Sequence, residues 1–384
     1  ILLLIVFIDM LAFGIIIPFM PFWAERYGAS PTLVAFLFAT YSLFAFLSSF
    51  PWGVVSDKWG RKPIVCFSLL GSAVSFAWVS QADALWMLFA ARALGGLMGG
   101  TLPVAQAYIA DVTPKEERAG RMGLMGAAIG AGFVFGPGIG WVLTRFGHGD
   151  TDFETAFLIA GAISFLGFIA ALLLLKEPTR HEPADLHRSF SGRVQAFTIA
   201  ARTPMVLYPL IILTMVAFCM GGLESTFAMW TQQQLHWGVR ENAIFFFYIG
   251  IIMVIVQGGA VRPLVKSIGE GRVVVAGSIL MAVGFAMVLI VYSAMLAFVG
   301  GALIATGFGL CNPALHAMIS RNAPSEHQGA AMGASQSVQS LCRILGPSAA
   351  GLAFGVFGRD APYLGGAIIL LIAFFLAIRA SRIR

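Results

Sequence analysis

Twelve times along this chain the sequence stays apolar for close to the length of a bilayer, and that repetition constrains the fold more than any other feature. A helix that crosses a bilayer needs about 20 mostly apolar residues. The runs lie near residues 1–23, 33–55, 64–81, 84–111, 121–145, 153–175, 204–229, 241–261, 272–292, 294–318, 328–356 and 362–379. Composition agrees, with 59% hydrophobic and 11% charged residues, where a soluble domain has ~45–50% and ~25%. Forty-four glycines fit as well, since glycine is commoner in membrane helices than in soluble ones. The expectation is an all-α polytopic membrane protein with twelve transmembrane helices in two six-helix bundles, residues 1–175 and 204–384. The longest polar stretch, 176–203, reads as the linker between them, with 193–202 as a short amphipathic surface helix.

The basic residues test this layout. Of 24 Lys and Arg, 18 fall in the even-numbered loops, the linker and the C-terminal tail. Four fall in the opposite loops (Arg26, Arg145, Arg240 and Arg359), and Arg92 and Arg343 lie inside spans. Cationic loops stay on the cytoplasmic side, so both termini are expected in the cytoplasm and the chain in a plasma membrane, the inner membrane of a bacterium. The net charge of +6 follows from topology and needs no nucleic-acid partner. The first run carries Asp9 and Pro18 and exceeds 20 residues, unlike a cleaved signal peptide. Cys66, Cys219, Cys311 and Cys342 all lie in apolar runs without metal-ligand spacing, so they read as small packing residues.

The halves repeat. Adding 210 carries Pro103 to Pro313, Ile109 to Ile319, Pro114 to Pro324, Met122 to Met332, Gly123 to Gly333, Gly136 to Gly346 and Pro137 to Pro347. Two parallel six-helix repeats place a binding site between them near the bilayer midplane and rock about it. Duplication and spans together point to a transporter.

GVVSDKWGRK (53–62) sits in the second loop, and its repeat copy is RPLVKSIGEG (262–271). Gly60 meets Gly269, Asp57 meets Lys266 and Arg61 meets Glu270, while Asp111 meets Arg321. Three matched positions invert sign. The expectation is two rim clusters, Asp57 and Asp111 with Arg61, and Lys266 and Arg321 with Glu270. The first also reaches the N-terminus of the eleventh helix near Glu326 and acts as half of a gate.

Gly53, Asp57, Gly60, Arg61 and Lys62 resemble the GxxxDxxGRK signature of the major facilitator superfamily. LFAARALGG, with Arg92, resembles its fourth-helix arginine motif. GAGFVFGPGIG, with Gly132, Gly136, Pro137 and Gly140, resembles the fifth-helix motif of drug–proton antiporters, although its last glycine is Trp141 here. IDMLAFGIIIPFMP is similar to the first helix of the tetracycline-exporter group. The resemblance covers nearly the whole chain and implies the twelve-helix drug–proton antiporter branch. That group carries an acid in helix 3, a His in helix 8 and an acid in helix 9, where this chain has Ser75, Met253 and Met281. These departures argue against tetracycline itself as substrate.

Ionisable residues inside a membrane are costly, ~2.5–3.5 kcal/mol each on insertion scales, and so mark function. Asp9 and Glu224 are the candidate proton carriers, because a carboxylate facing a partly dry cavity can load and release protons near neutral pH. Arg92 cannot shed its proton, and the resemblance implies that it drives proton release from a neighbouring acid. The plainer alternative is a structural hydrogen bond to helix-1 backbone. Arg343 pairs with Glu224 or holds a substrate anion, and His316 is a core hydrogen-bonding group or a relay. Glu224, Phe227, Asn312, His316, Gln336, Gln339 and Arg343 are the candidate substrate residues, with Met229, Trp230 and Phe247 as apolar neighbours. That mix suits a lipophilic, often cationic ligand held by aromatic faces.

No Walker A motif, HExxH, CxxC or GxSxG is present, so neither ATP as the energy source nor enzyme chemistry nor a cofactor is expected, and the resemblance implies the proton gradient as the energy source. The expected function is secondary active, proton-coupled export of lipophilic drugs or related amphiphiles by a monomer in the bilayer. The alternatives are an exporter or flippase of a lipid-like or anionic metabolite, and a non-transporting receptor on the same fold.

Overall fold

The computed structural model describes residues 1–114, 117–146, 153–178, 204–323 and 328–382. Most of the linker 176–203, the surface helix expected over 193–202, and Pro324 and Glu326 lie outside these residues. Fifteen helices are described. In the first half they are α1 Leu2–Ile16, α2 Met20–Glu25, α3 Pro31–Trp59, α4 Arg61–Ser80, α5 Leu85–Leu97, α6 Thr101–Val112, α7 Arg118–Phe146 and α8 Phe153–Leu174. In the second they are α9 Pro204–Leu235, α10 Val239–Ile255, α11 Val261–Ile268, α12 Glu270–Val288, α13 Ala294–Asn322, α14 Gln328–Phe357 and α15 Ala361–Arg382. Eleven helical segments among the described residues are long and apolar enough to cross a membrane, and α1 is a shorter apolar helix. With α1 and α2 taken together as the first crossing, the twelve expected spans are accounted for.

Three spans are not single straight helices. The first is interrupted at Ile17–Phe19, where Pro18 removes a backbone donor and Pro21 starts α2 afresh. The fourth is divided between α5 and α6 at Met98, Gly99 and Gly100. There Gly100 N donates to Met98 O at 2.7 Å, a tight turn that breaks the α-helical ladder. The eighth passes through one π turn, Val256–Ala260, between α10 and α11. Gly258 and Gly259 sit in that turn with open space around them.

The chain divides into two compact units, Ile1–Ala184 with His236–Gly250, and Asp185–Leu235 with Ile251–Arg384. Within the first, α1 packs on α7 and α8, and α4 packs on α5 and α8. Within the second, α9 packs on α14 and α15, and α12 packs on α13 and α15. The same helices meet in each unit: first with fifth and sixth, third with fourth and sixth.

The duplicated residues explain the likeness. A Cβ on Gly136 of α7 would lie 2.6 Å from Gly14 backbone on α1, and one on Gly346 of α14 would lie 2.6 Å from Phe218 O on α9. The paired prolines repeat the match. A Cβ on Gly14 would meet Pro137 Cδ, and one on Gly221 would meet Pro347 Cδ, each at 3.3 Å. Without water to drive association, membrane helices pack by close backbone approach at small residues. The repeat thus preserves one helix contact in two copies.

Candidate functional site

The rim copies also repeat one turn. Gly60, at φ +105°, ends α3 and opens α4, and Gly269, at φ +85°, ends α11 and opens α12. A side chain at either φ is strained, which accounts for the matched glycines. Arg61, the first residue of α4, reaches Asp111 near the end of α6 at 2.8 Å and Asp57 at 2.6 Å. It also donates to Ser56 Oγ at 2.5 Å. Glu270, the first residue of α12, pairs with Arg321 near the end of α13 at 3.1 Å. Both pairs tie the start of a third helix to the end of a fourth. The sign inversion swaps both partners at once and keeps the pair.

The two copies differ in strength and membership. The Arg61 side chain is 5% exposed, whereas Arg321 is 73% exposed, and a solvated pair is worth only ~0–1 kcal/mol. Lys266 is exposed and stands outside the Glu270–Arg321 pair.

Deeper in the first unit, Asp9 on α1 lies against Thr101 at the start of α6. The Thr101 hydroxyl is buried and faces that carboxyl. Arg92 on α5 is buried, with its guanidinium 4.4 Å from the Tyr41 ring centroid and 5.5 Å from that of Phe13. Among the described residues no carboxylate lies at ion-pair distance from it. Aromatic faces accept a cation in this way, while Arg92 Nε keeps an unused donor. The structure therefore brings Arg92 to helix-1 and helix-2 rings and does not bring it to Asp9.

In the second unit, Glu224 lies ~30 Å along α9 from its start and ~17 Å from its end, at 1.5 Å per residue. It is exposed, while Leu223, Ser225 and Thr226 beside it are buried. Arg343, ~22 Å along α14, is exposed too and is the charged neighbour of Glu224. The two act on each other without ion-pair contact. The next helix brings His316 of α13 to Gln339 of α14, with the two Nε2 atoms 2.7 Å apart. With the Gln339 amide donating, the imidazole proton sits on Nδ1, which is buried without a partner. Asn312 is half-buried and Gln336 exposed.

The apolar candidates behave differently. Phe227 is 2% exposed and stacks on Trp230, with centroids 6.0 Å apart. Trp230 donates to Asp360 Oδ1 at 2.8 Å, and Met229 is buried as well. Phe247 packs where a Cβ on Gly138 of α7 would be, 2.8 Å away. These side chains belong to helix packing, and the polar set Glu224, Arg343, His316 and Gln339 stands apart from them.

The model of the Major Facilitator Superfamily matches residues 2–347, and again 260–383. The chain belongs to the major facilitator superfamily. Among its relatives in that superfamily, "Tetracycline resistance protein, class C" of Escherichia coli is 30% identical, covering 88% of this chain and 85% of the relative. "Multidrug resistance protein 2" of Bacillus subtilis (strain 168) is 27% identical, covering 96% and 91%. The crystal structure of the human organic anion transporter MFSD10 (TETRAN) superposes with a TM-score of 0.71 at 21% identity, covering 98% of this chain and 97% of that one. The resemblance to the drug–proton antiporter branch of the superfamily, read from motifs, is borne out by these relatives.

The superfamily signature directed attention to Asp57 and Arg61, and so passed over Glu177. Its Oε1 accepts from Arg61 N at 2.6 Å and its Oε2 from Lys62 N at 2.9 Å. Arg61 places a positive charge at the positive end of α4, which the helix dipole disfavours. Glu177 supplies the missing negative charge and takes two free N–H groups. In the second copy Glu270 opens α12 with the right sign, and no such cap is needed. The acid directly after the sixth span, in LLLLKEP, is the signal that could have revealed it. Glu177→Ala is expected to cost about 1–2 kcal/mol, as for loss of a charged N-terminal cap. Glu177→Gln should cost less. Thermal unfolding midpoints of the purified variants check the order.

Proposed function

We propose that this chain is a proton-coupled exporter of lipophilic, preferentially cationic compounds, working by alternating access in a bacterial inner membrane as a monomer with both termini cytoplasmic. The observation that carries this reading is the Glu224–Arg343 neighbourhood: an exposed carboxylate at mid-helix, faced by an arginine it does not contact. A carboxylate held so can be neutralised by a proton or by a substrate cation, and the two compete for it. Arg343 opposes binding of both, so that either is released when the cavity opens to the other side. Gln339, one turn before Arg343 on α14, holds His316, and the unused Nδ1 donor suits an acceptor on the substrate. Membership of the superfamily and the resistance proteins among the relatives support this reading.

Asp9, facing the buried Thr101 hydroxyl, is the second proton carrier. Arg92 holds helix 4 against rings of helices 1 and 2. The rim pairs Arg61–Asp111 and Glu270–Arg321 act as gate elements, with Asp57 strengthening the first. The test uses inverted membrane vesicles. Uptake of a lipophilic cation should follow an imposed acid-inside gradient and collapse with a protonophore. Uptake that is indifferent to the gradient, or that requires ATP, would overturn the reading.

A further inference from the structure

The break in the fourth span is held from outside that span. In an unbroken helix Gly96 O would accept from Gly100 N, and Leu97 O from Thr101 N. Here α3 reaches both carbonyls from the side. Trp52 Nε1 donates to Leu97 O at 2.6 Å. Ser48 Oγ, one turn earlier on α3, shares its proton between Gly96 O at 3.1 Å and Ala45 O of its own helix at 3.2 Å. Gly100 N turns to Met98 O instead, and α6 starts afresh at Thr101. Packing keeps the indole in place. A Cβ on Gly100 would lie 2.9 Å from the Trp52 ring, and one on Gly96 would lie 3.0 Å from Ala45 N. The broken stretch therefore runs against α3 where the donors act.

The consequence falls on Asp9. A helix start leaves its first N–H groups without intrahelical partners and carries the positive end of the dipole. Thr101 is that start in α6, and it faces the Asp9 carboxyl. The helices packed on α1 include α7 and α8, yet among the described residues no charged side chain acts on Asp9. The start of α6 is thus the positive element beside an ionised Asp9. In a continuous span that element would be lost, because Thr101 N would return to Leu97 O. Half-helix N-termini serve anionic groups in this way inside membranes.

We infer that Trp52 is a positioning residue for proton release from Asp9: by taking Leu97 O it keeps the fourth span open and the start of α6 aimed at the carboxylate. The inference rests on Asp9 as the second proton carrier. Trp52 touches neither proton nor substrate and acts through the backbone of the break.

The test measures proton-driven efflux and counterflow exchange with the full chain reconstituted in liposomes. Trp52→Phe keeps a ring against Gly100 and removes the donor. Coupled efflux at saturating substrate should fall about tenfold, with KM unchanged. Exchange of neutral substrate, which needs no net proton movement, should be kept, whereas a loosened fold would lower both. Should Trp52→Phe fail to fold, Trp52→Met fills the space with an adaptable apolar chain that also lacks a donor, and the same split is expected. Asp9→Asn, measured in parallel, should lose coupled efflux and keep exchange. Wild-type efflux in Asp9→Asn refutes Asp9 as a carrier and overturns the inference with it. Loss of efflux there together with wild-type efflux in Trp52→Phe, or equal loss of efflux and exchange in Trp52→Phe, overturns the inference alone.

Discussion

Glu224→Gln is expected to reduce proton-driven efflux to background while leaving a folded protein that still exchanges neutral substrate. Glutamine keeps the shape and hydrogen-bonding reach of the side chain but cannot change charge. The site then stays in the state that corresponds to a protonated carboxyl. A transporter that needs proton release to complete its cycle stops there. Exchange of labelled for unlabelled neutral substrate, which needs no net proton movement, continues. Glutamine is close to glutamate in size, so the substitution opens no cavity and the fold should be retained. Arg343 then stands as a mid-membrane cation without its acid, and binding of cationic substrates should weaken more than binding of neutral ones. The paired change Glu224→Gln with Arg343→Gln should restore cation binding in part without restoring coupling. Inverted vesicles with and without an acid interior give coupled efflux, and counterflow gives exchange. Coupled efflux at the wild-type rate in Glu224→Gln would remove this residue from the cycle and leave Asp9 as the carrier to be tested by Asp9→Asn.

The twelve spans were legible because apolar length is a one-dimensional property of the sequence. Where a span breaks was less so. LMGGT at 97–101 ends one helix and begins another, whereas Gly126 and Gly130 of α7 sit within an unbroken helix. A glycine pair alone does not separate the two cases in a chain with 44 glycines. The rim pairs were legible through duplication: Arg61–Asp111 and Glu270–Arg321 are one contact written twice with opposite signs. Glu177 was not, since it lies 116 residues from Arg61 and its role has no second copy. Phe227 shows the limit of composition. Helix α9 is apolar on nearly every face, so periodicity does not tell a cavity-facing ring from one stacked on Trp230. Charge is more telling, because each intramembrane ionisable residue must be accommodated by something nearby. That reasoning singled out Glu224 and Arg343, which the structure makes charged neighbours, whereas the acidic neighbour of Arg92 is implied only by the family resemblance, and the structure supplies aromatic rings there.

Gly136→Ala and Gly346→Ala should both destabilise the protein, while Gly126→Ala should leave it unchanged or raise its stability. All three glycines lie in the body of a long helix, where alanine is the better former by about 1 kcal/mol. Propensity alone therefore predicts a gain at every position. Packing reverses the sign at two of them. The new methyl at Gly136 would stand 2.6 Å from the backbone of Gly14, and that at Gly346 would stand 2.6 Å from Phe218 O and 3.3 Å from Gly222 N. Backbone cannot rotate aside as a side chain can, so α1 must separate from α7, and α9 from α14. Such overpacking costs about 1–3 kcal/mol, enough to exceed the gain in propensity. At Gly126 nothing lies within 4 Å of the added atom, and only the propensity effect remains. Thermal unfolding of the three variants under one detergent condition reads the signs directly. If Gly346→Ala lost stability and Gly136→Ala did not, the two halves would share a sequence pattern without sharing its physical cause. Matched losses would show that duplication conserved the close approach itself, the contact on which the helices bearing Asp9 and Glu224 rest.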